Sequence, residues 1–402
     1  MREQTLDEMF AEFEAQAVRT FRPAGVAAAQ RRVRDRRRRR RGLLAGITAL
    51  VIGGPAGALA VANRDVGPVP PTPPSPTVTA GPSVTERKVA AAGAVGALRR
   101  LRFVDARHGW ALFDTCDRPD QVTQGCRRAL ARTTDGGLTW RGRELPPAKS
   151  SSQMYASDER TAIVLSGDGY VTTGDGGATV DSSSVRSPSL DAQRAWATVS
   201  GYRLVCPSPN GDCEGLRIGR VGGGKVGQPP LTTGDGGGSV QLREGSDGRL
   251  WVAVVDADRT TAAVSADKTA SWHRLPAVEE AGSLLLSPDG RDVWLVGSTA
   301  PRPVWQLVGD RWTERGSLPG DTYEVAAAGE GRLVVTGAQG GAGVWRDGRY
   351  ADLPELSDAL EVETGFSNPA TVEVARDGSI TFTQDDTWIL GSLETRAWTE
   401  FS

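Results

Sequence analysis

The chain has 402 residues, among them 50 Gly and 11 Trp, and carries a formal net charge of −2. That length admits two or three average domains or one large all-β unit, and the Gly-Asp turn signals that recur from about residue 105, without long amphipathic periodicity, favour many short strands. Only two His, His108 and His273, accompany four Cys and neither lies near one, which argues against a zinc site, and no cofactor or metal is expected.

The near-neutral total hides a polarised chain. Residues 1–42 carry 12 Arg against 6 Asp or Glu, so the remainder is acidic in sum. Within this leader, TLDEMFAEFEAQAVRTF (5–21) opens with a capping box, Thr5 and Glu8, and places Leu6, Met9, Phe10, Phe13 and Ala17 at helical spacing. It reads as a short amphipathic helix, either resting on a membrane surface or docking a cytoplasmic protein partner. Next, RRVRDRRRRRR (31–41) has nine Arg and abuts LLAGITALVIGGPAGALAVA (43–62), which has no charged residue. The pair predicts a transmembrane helix over 43–63 with the N-terminus in the cytoplasm and everything after it outside. The lipid bilayer is thus one expected partner, and the position of the arginine run makes it a topology signal rather than a nucleic-acid patch. Four Gly and Pro55 weaken the span, and Ala58-Leu59-Ala60 and Ala60-Val61-Ala62 keep open a cleaved signal and a secreted protein.

Residues 64–96, rich in Pro, Ser and Thr, read as an extended stalk. The cysteines form two close pairs, Cys116 with Cys126 and Cys206 with Cys213, which suit local disulfides in an oxidising compartment, although four cysteines allow three connectivities. From residue 97 to 402 the chain repeats with a period of roughly 40–50 residues and four strands per unit. Seven units can be laid out, with second strands such as TAIVL, LWVAVV, VWLVG and RLVVTG apolar on both faces. The expected fold is an all-β, seven-bladed β-propeller with four-stranded blades.

One octet is patterned more sharply than the rest. TTDGGLTW (133–140) places Thr133, Asp135, Gly137, Thr139 and Trp140 at strict spacing. A second copy has Thr173, Asp175, Gly177 and Thr179 but Val180 for the Trp, and a third has Ser265, Asp267, Ser271 and Trp272 with Thr269 for the Gly. These stretches resemble the Asp-box, or BNR repeat, of the sialidase-like propellers. In that family the turn joins third and fourth strands on the face away from the active site, which implies a structural role for Asp135. The layout of the whole chain resembles that of single-pass membrane proteins of actinobacteria, a likeness that implies no activity.

The near copy LTTGDGGGSV (231–240) falls elsewhere in the repeat, which places Asp235 between blades on the opposite face. The rim of that face is expected to hold Asp117, Arg118, Asp120, Asp212, Asp235, Asp256, Asp258, Arg259, Arg302, Asp385 and Asp386. No residue is assigned as catalytic. The resemblance implies that a sialidase needs three Arg, a Tyr and Glu pair and an Asp acid. The chain lacks the Arg-Ile-Pro motif of such enzymes, offers Arg102 without it, and places none of Tyr155, Tyr170, Tyr202, Tyr323 and Tyr350 on the rim. Asp256 or Asp258 with Asp385 or Asp386 would be the carboxylate pair of another glycosidase. The expected function is a membrane-anchored extracytoplasmic module that binds a glycan, peptide or protein. A sialidase-like exo-glycosidase is one alternative, and a sensor coupled to a cytoplasmic regulator through residues 5–21 is another.

Overall fold

The computed structural model describes residues 82–115, 125–148, 152–167, 169–205, 216–233, 238–338, 340–360 and 368–402. The expected cytoplasmic helix, the transmembrane helix and most of the stalk lie outside the described residues. No described helix is long and apolar enough to cross a membrane. The chain divides into two compact units between residues 77 and 78, and all the described strands belong to the second.

After β1 (Ser83–Arg87), the described strands form sheets in chain order. The first sheet has β2 (Ala97–Phe103), β3 (Gly109–Asp114), β4 (Cys126–Thr133) and β5 (Arg141–Ala148). The second has β6 (Gln153–Ala156), β7 (Ala162–Ser166), β8 (Gly169–Thr173) and β9 (Asp181–Ser183). The third has only β10 (Tyr202–Leu204) and β11 (Ile218–Arg220) among the described residues. The fourth has β12 (Ser239–Glu244), β13 (Leu250–Val255), β14 (Thr260–Ser265) and β15 (His273–Arg274), and the fifth β16 (Gly282–Leu286), β17 (Val293–Gly297), β18 (Pro303–Val308) and β19 (Arg311–Ser317). The sixth has β20 (Thr322–Gly329), β21 (Arg332–Gly337), β22 (Ala342–Arg346) and β23 (Arg349–Asp352). The last has β24 (Thr371–Val374), β25 (Ile380–Gln384), β26 (Thr387–Gly391) and β27 (Ala397–Phe401). Each four-stranded sheet is an antiparallel meander, paired in sequence order.

Burial explains the sequence pattern. Every residue of β3 and β17 is buried, and β13 is buried except at Val255, because these second strands are covered on both faces by neighbouring sheets. Trp110, Leu112 and Leu145 of the first sheet pack on Met154, Val164 and Val171 of the second. Trp294 meets Trp345 edge-on between the fifth and sixth sheets, with centroids 6.0 Å apart. Burying side chains of this size supplies roughly 1.5–3 kcal/mol each. Leu101, Phe103 and Trp140 of the first sheet pack on Trp388, Leu390 and Phe401 of the last, which closes the ring. The fold is a β-propeller.

Two details differ from the sequence-based expectation. Ser83–Arg87, expected in the stalk, is strand β1, which pairs in parallel with β27 from Ser83 opposite Ala397 to Arg87 opposite Phe401. It covers an edge that would otherwise leave unpaired N–H and C=O groups. The repeat calls for a strand near residues 194–199 at the start of the third sheet, yet Ala192–Trp196 is a 3-10 helix. Ser189 wins locally: its hydroxyl accepts the Ala192 N–H at 3.1 Å and its carbonyl the Gln193 N–H at 3.0 Å. Trp196 then packs against Tyr170 and Tyr155, at 5.6 and 5.9 Å between centroids. On the outer side of β11 no fourth strand is present among the described residues. The Gln228 side chain stands in for it, accepting the Ile218 N–H at 2.8 Å and donating to the Ile218 carbonyl at 3.0 Å.

Candidate functional site

The three aspartate turns all join the third and fourth strands of their sheets. Asp135 Oδ1 accepts the Thr133 hydroxyl at 2.7 Å and the Thr139 N–H at 2.9 Å, and Oδ2 accepts the Thr139 hydroxyl at 2.6 Å. The Thr139 side-chain and backbone donors, then Thr133, hold its pKa at about 2. Gly137 has φ +81°, and a Cβ there would meet the Phe401 ring at 2.5 Å, so only glycine fits. The Trp140 indole donates to the Gly137 carbonyl at 3.2 Å. Asp175 and Asp267 repeat this arrangement and also sit at about 2. In the third turn Thr269 adopts φ +76° where the first has Gly. With both oxygens engaged inside the turn, these carboxylates act as braces.

Of the expected rim residues, Asp117, Arg118, Asp120, Asp212 and Asp235 lie outside the described residues, as do Cys116, Cys206 and Cys213. Cys126 is buried at the head of β4 and disulfide-bonded. Asp256 starts the turn between β13 and β14, its N–H donating to the Arg259 carbonyl at 2.8 Å. Asp258 is exposed, and Arg259 faces Glu279 at 3.4 Å. Asp385, at φ +49°, accepts the Asn368 amide at 2.9 Å beside the exposed Asp386, in the turn between β25 and β26. The two members of each carboxylate pair offered for a glycosidase therefore belong to different sheets, and none of the four lines the central cavity.

The first strands of the sheets, β2, β12, β16, β20 and β24, wall that cavity, which has a volume of about 700 Å³. Arg302 is the one described rim residue that lines it, donating to the Tyr323 carbonyl at 3.2 Å. Tyr323, expected away from the binding face, also lines the cavity and is 45% exposed. The other charged lining residues are Arg102, Arg243, Glu244, Glu324, Glu373 and Arg376. Arg102 pairs with Glu373 at 3.4 Å. Glu244 accepts the Ser200 N–H at 2.8 Å and also its hydroxyl. Glu324 accepts the Val372 N–H at 3.1 Å, and burial pushes its pKa up, with Glu373 adding to the shift. Arg243 is exposed to the cavity, yet the protein around it displaces bulk solvent, and that desolvation lowers its pKa.

Apart from Arg102, these charged lining residues are not singled out by the motifs of the sequence, although a signal for them exists. In SVQLRE of β12 and TVEV of β24, polar residues alternate with apolar ones on strands at the centre of a ring, so Gln241, Arg243 and Glu373 share the channel-facing side. Asp, His and Cys are absent from the described lining residues.

No family model matches the chain, and no curated protein does. Several solved structures are similar to it. YCF48 bound to D1 peptide is 14% identical at a TM-score of 0.44, covering 73% of this chain and 92% of that one. The β-propeller domain of the Trilobed protease from Pyrococcus furiosus is 8% identical at 0.45, covering 73% and 94%. The Pan2 WD40 domain of Neurospora crassa is 12% identical at 0.41, covering 74% and 90%. At such identities the chemistry of the site is read from its own residues.

Proposed function

We propose that the chain is a membrane-anchored, extracytoplasmic binding module whose propeller holds a glycan, peptide or protein in its central cavity without transforming it. One observation carries this reading: the cavity is large, and its walls mix apolar residues with hydrogen-bonding and charged ones. Its Glu244 and Glu373 are already engaged, and its described lining has no His or Cys to serve as base or nucleophile. The arginine run before an uncharged 20-residue stretch supports the anchoring. Pairing of Cys116 with Cys126 and of Cys206 with Cys213 fits that compartment, and the seven repeats support a seven-bladed ring.

The test is a glycan array and a peptide panel applied to the purified full-length protein, repeated with Leu285→Trp, which fills the cavity. Ligands retained by the wild type and lost in Leu285→Trp support the reading; ligands that bind both alike overturn it. For the anchoring, protease added to intact cells is expected to degrade the propeller and spare residues 1–42.

A sialidase-like activity is favoured by one observation: Arg102, Arg243, Arg302 and Tyr323 line the same cavity. Against it, the Asp acid that the resemblance calls for is absent from the described lining residues, which leaves Glu324, its pKa raised by burial, as the acid candidate there. Turnover of an aryl sialoside, abolished in Tyr323→Phe, would replace the binding reading with this one.

A further inference from the structure

The ligand chemistry of the cavity, resting on the binding function proposed for it, follows from how its charges are distributed. In an antiparallel meander the turn after each first strand and the turn before each fourth strand share one face. Here they touch: the Gly136 N–H donates to the Arg107 carbonyl at 2.8 Å, and the Gly176 N–H to the Arg160 carbonyl at 2.9 Å. Arg102 is the next-to-last residue of β2, Arg243 the next-to-last of β12, and Arg376 follows β24 by two. These three arginines therefore stand at the aspartate-turn end of the cavity, Arg102 and Arg376 on the first and last sheets and Arg243 on the fourth, while Arg302 and Tyr323 stand at the other end. This is the face opposite the rim on which the sequence motifs place the ligand.

The acidic groups near them are already engaged, Glu373 with Arg102 and Glu244 with Ser200. Among the described residues the Arg243 and Arg376 guanidiniums have no hydrogen-bond or ion-pair partner. Both are exposed to the cavity, so an anionic ligand gains charge-assisted hydrogen bonds there without breaking an existing ion pair. Between the two ends the wall is apolar at Leu285, Val325, Ala326 and Val372, with Gln241 and Ser283 interspersed.

We infer that the cavity takes a peptide carboxylate flanked by apolar residues, with Arg243 and Arg376 donating to the carboxylate and the apolar wall receiving the neighbouring side chains. Guanidinium forks match carboxylates geometrically. The Gln241 amide oxygen already accepts the Leu284 N–H at 2.8 Å, but a purely hydrocarbon acid would offer nothing to its amide N–H groups or to the Ser283 hydroxyl, and a polyphosphate or acidic sugar would waste the Leu285 wall. A peptide satisfies both through its backbone amides and its apolar side chains.

The experiment is calorimetric titration of the full-length protein with three probes. They are acetyl-Ala-Leu-Val-Leu with a free C-terminal carboxylate, its C-terminal amide, and acetyl-Leu-Val-Asp-Leu-Ala amide. At least one carboxylate peptide is expected to bind about tenfold or more tighter than the uncharged amide. Arg243→Gln and Arg376→Gln, each with an unchanged melting curve, are expected to erase that difference, and Arg243→Lys to keep part of it. Preference for the first probe assigns a free C-terminus, and preference for the third an internal acidic side chain. Equal binding of acids and amide, all lost in Leu285→Trp, overturns the carboxylate assignment and leaves cavity binding standing. Failure of all three peptides while an uncharged glycan binds in a Leu285-dependent way does the same. Full carboxylate selectivity in an Arg243→Gln, Arg376→Gln double variant also overturns it.

Discussion

Asp135 has donors on both carboxylate oxygens, all from Thr133 and Thr139, within four residues of itself. Such a group stabilises the fold only while ionised. Its folded pKa of about 2 lies below the ordinary 3.8, so its contribution is complete above the ordinary value and fades as the pH falls towards 2. The same window holds for Asp175 and Asp267. Melting curves are therefore expected to drop between about pH 4 and pH 2, and Asp135→Asn to melt lower at pH 7 with a shallower acid dependence. An acid profile unchanged by the substitution would refute the brace role. The octet is legible because its partners are local in sequence. Arg243 and Arg376 are not, because their value depends on what the opposite wall of the channel lacks.

Second strands are readable because burial on both faces demands an unbroken apolar run, as in LWVAVV of β13. Replacing Trp345, fully buried against Trp294, by Ala is expected to cost about 3–5 kcal/mol, measured by equilibrium denaturation. The third sheet is the weak element. With two described strands of three residues each and a glutamine side chain in place of a ladder, its backbone hydrogen bonds open more readily than those of β13. Hydrogen exchange at 202–204 and 218–220 is expected to run ahead of 250–255, and equal protection would contradict that. The repeat calls for a strand at 194–199. The hydrogen bonds that Ser189 accepts from Ala192 and Gln193 and the packing of Trp196 decide otherwise, and both are invisible to a period count.

At the scale of the whole propeller, each sheet is stable only through its neighbours, and β1 seals the seam by pairing with β27 while Val89 joins the core shared by the first and last sheets. Val84→Pro together with Glu86→Pro is expected to lower the melting temperature while preserving one transition. Two separate transitions would mean that the ring does not unfold as a unit. The propeller architecture was determined by the sequence alone, because alternation, turn chemistry and repeat period are local properties that every blade states again. Ring closure through β1 and the side of the channel that gathers unpaired guanidiniums were decided only by the tertiary structure. Both depend on residues far apart in the chain meeting across the ring, and no local pattern encodes that distance.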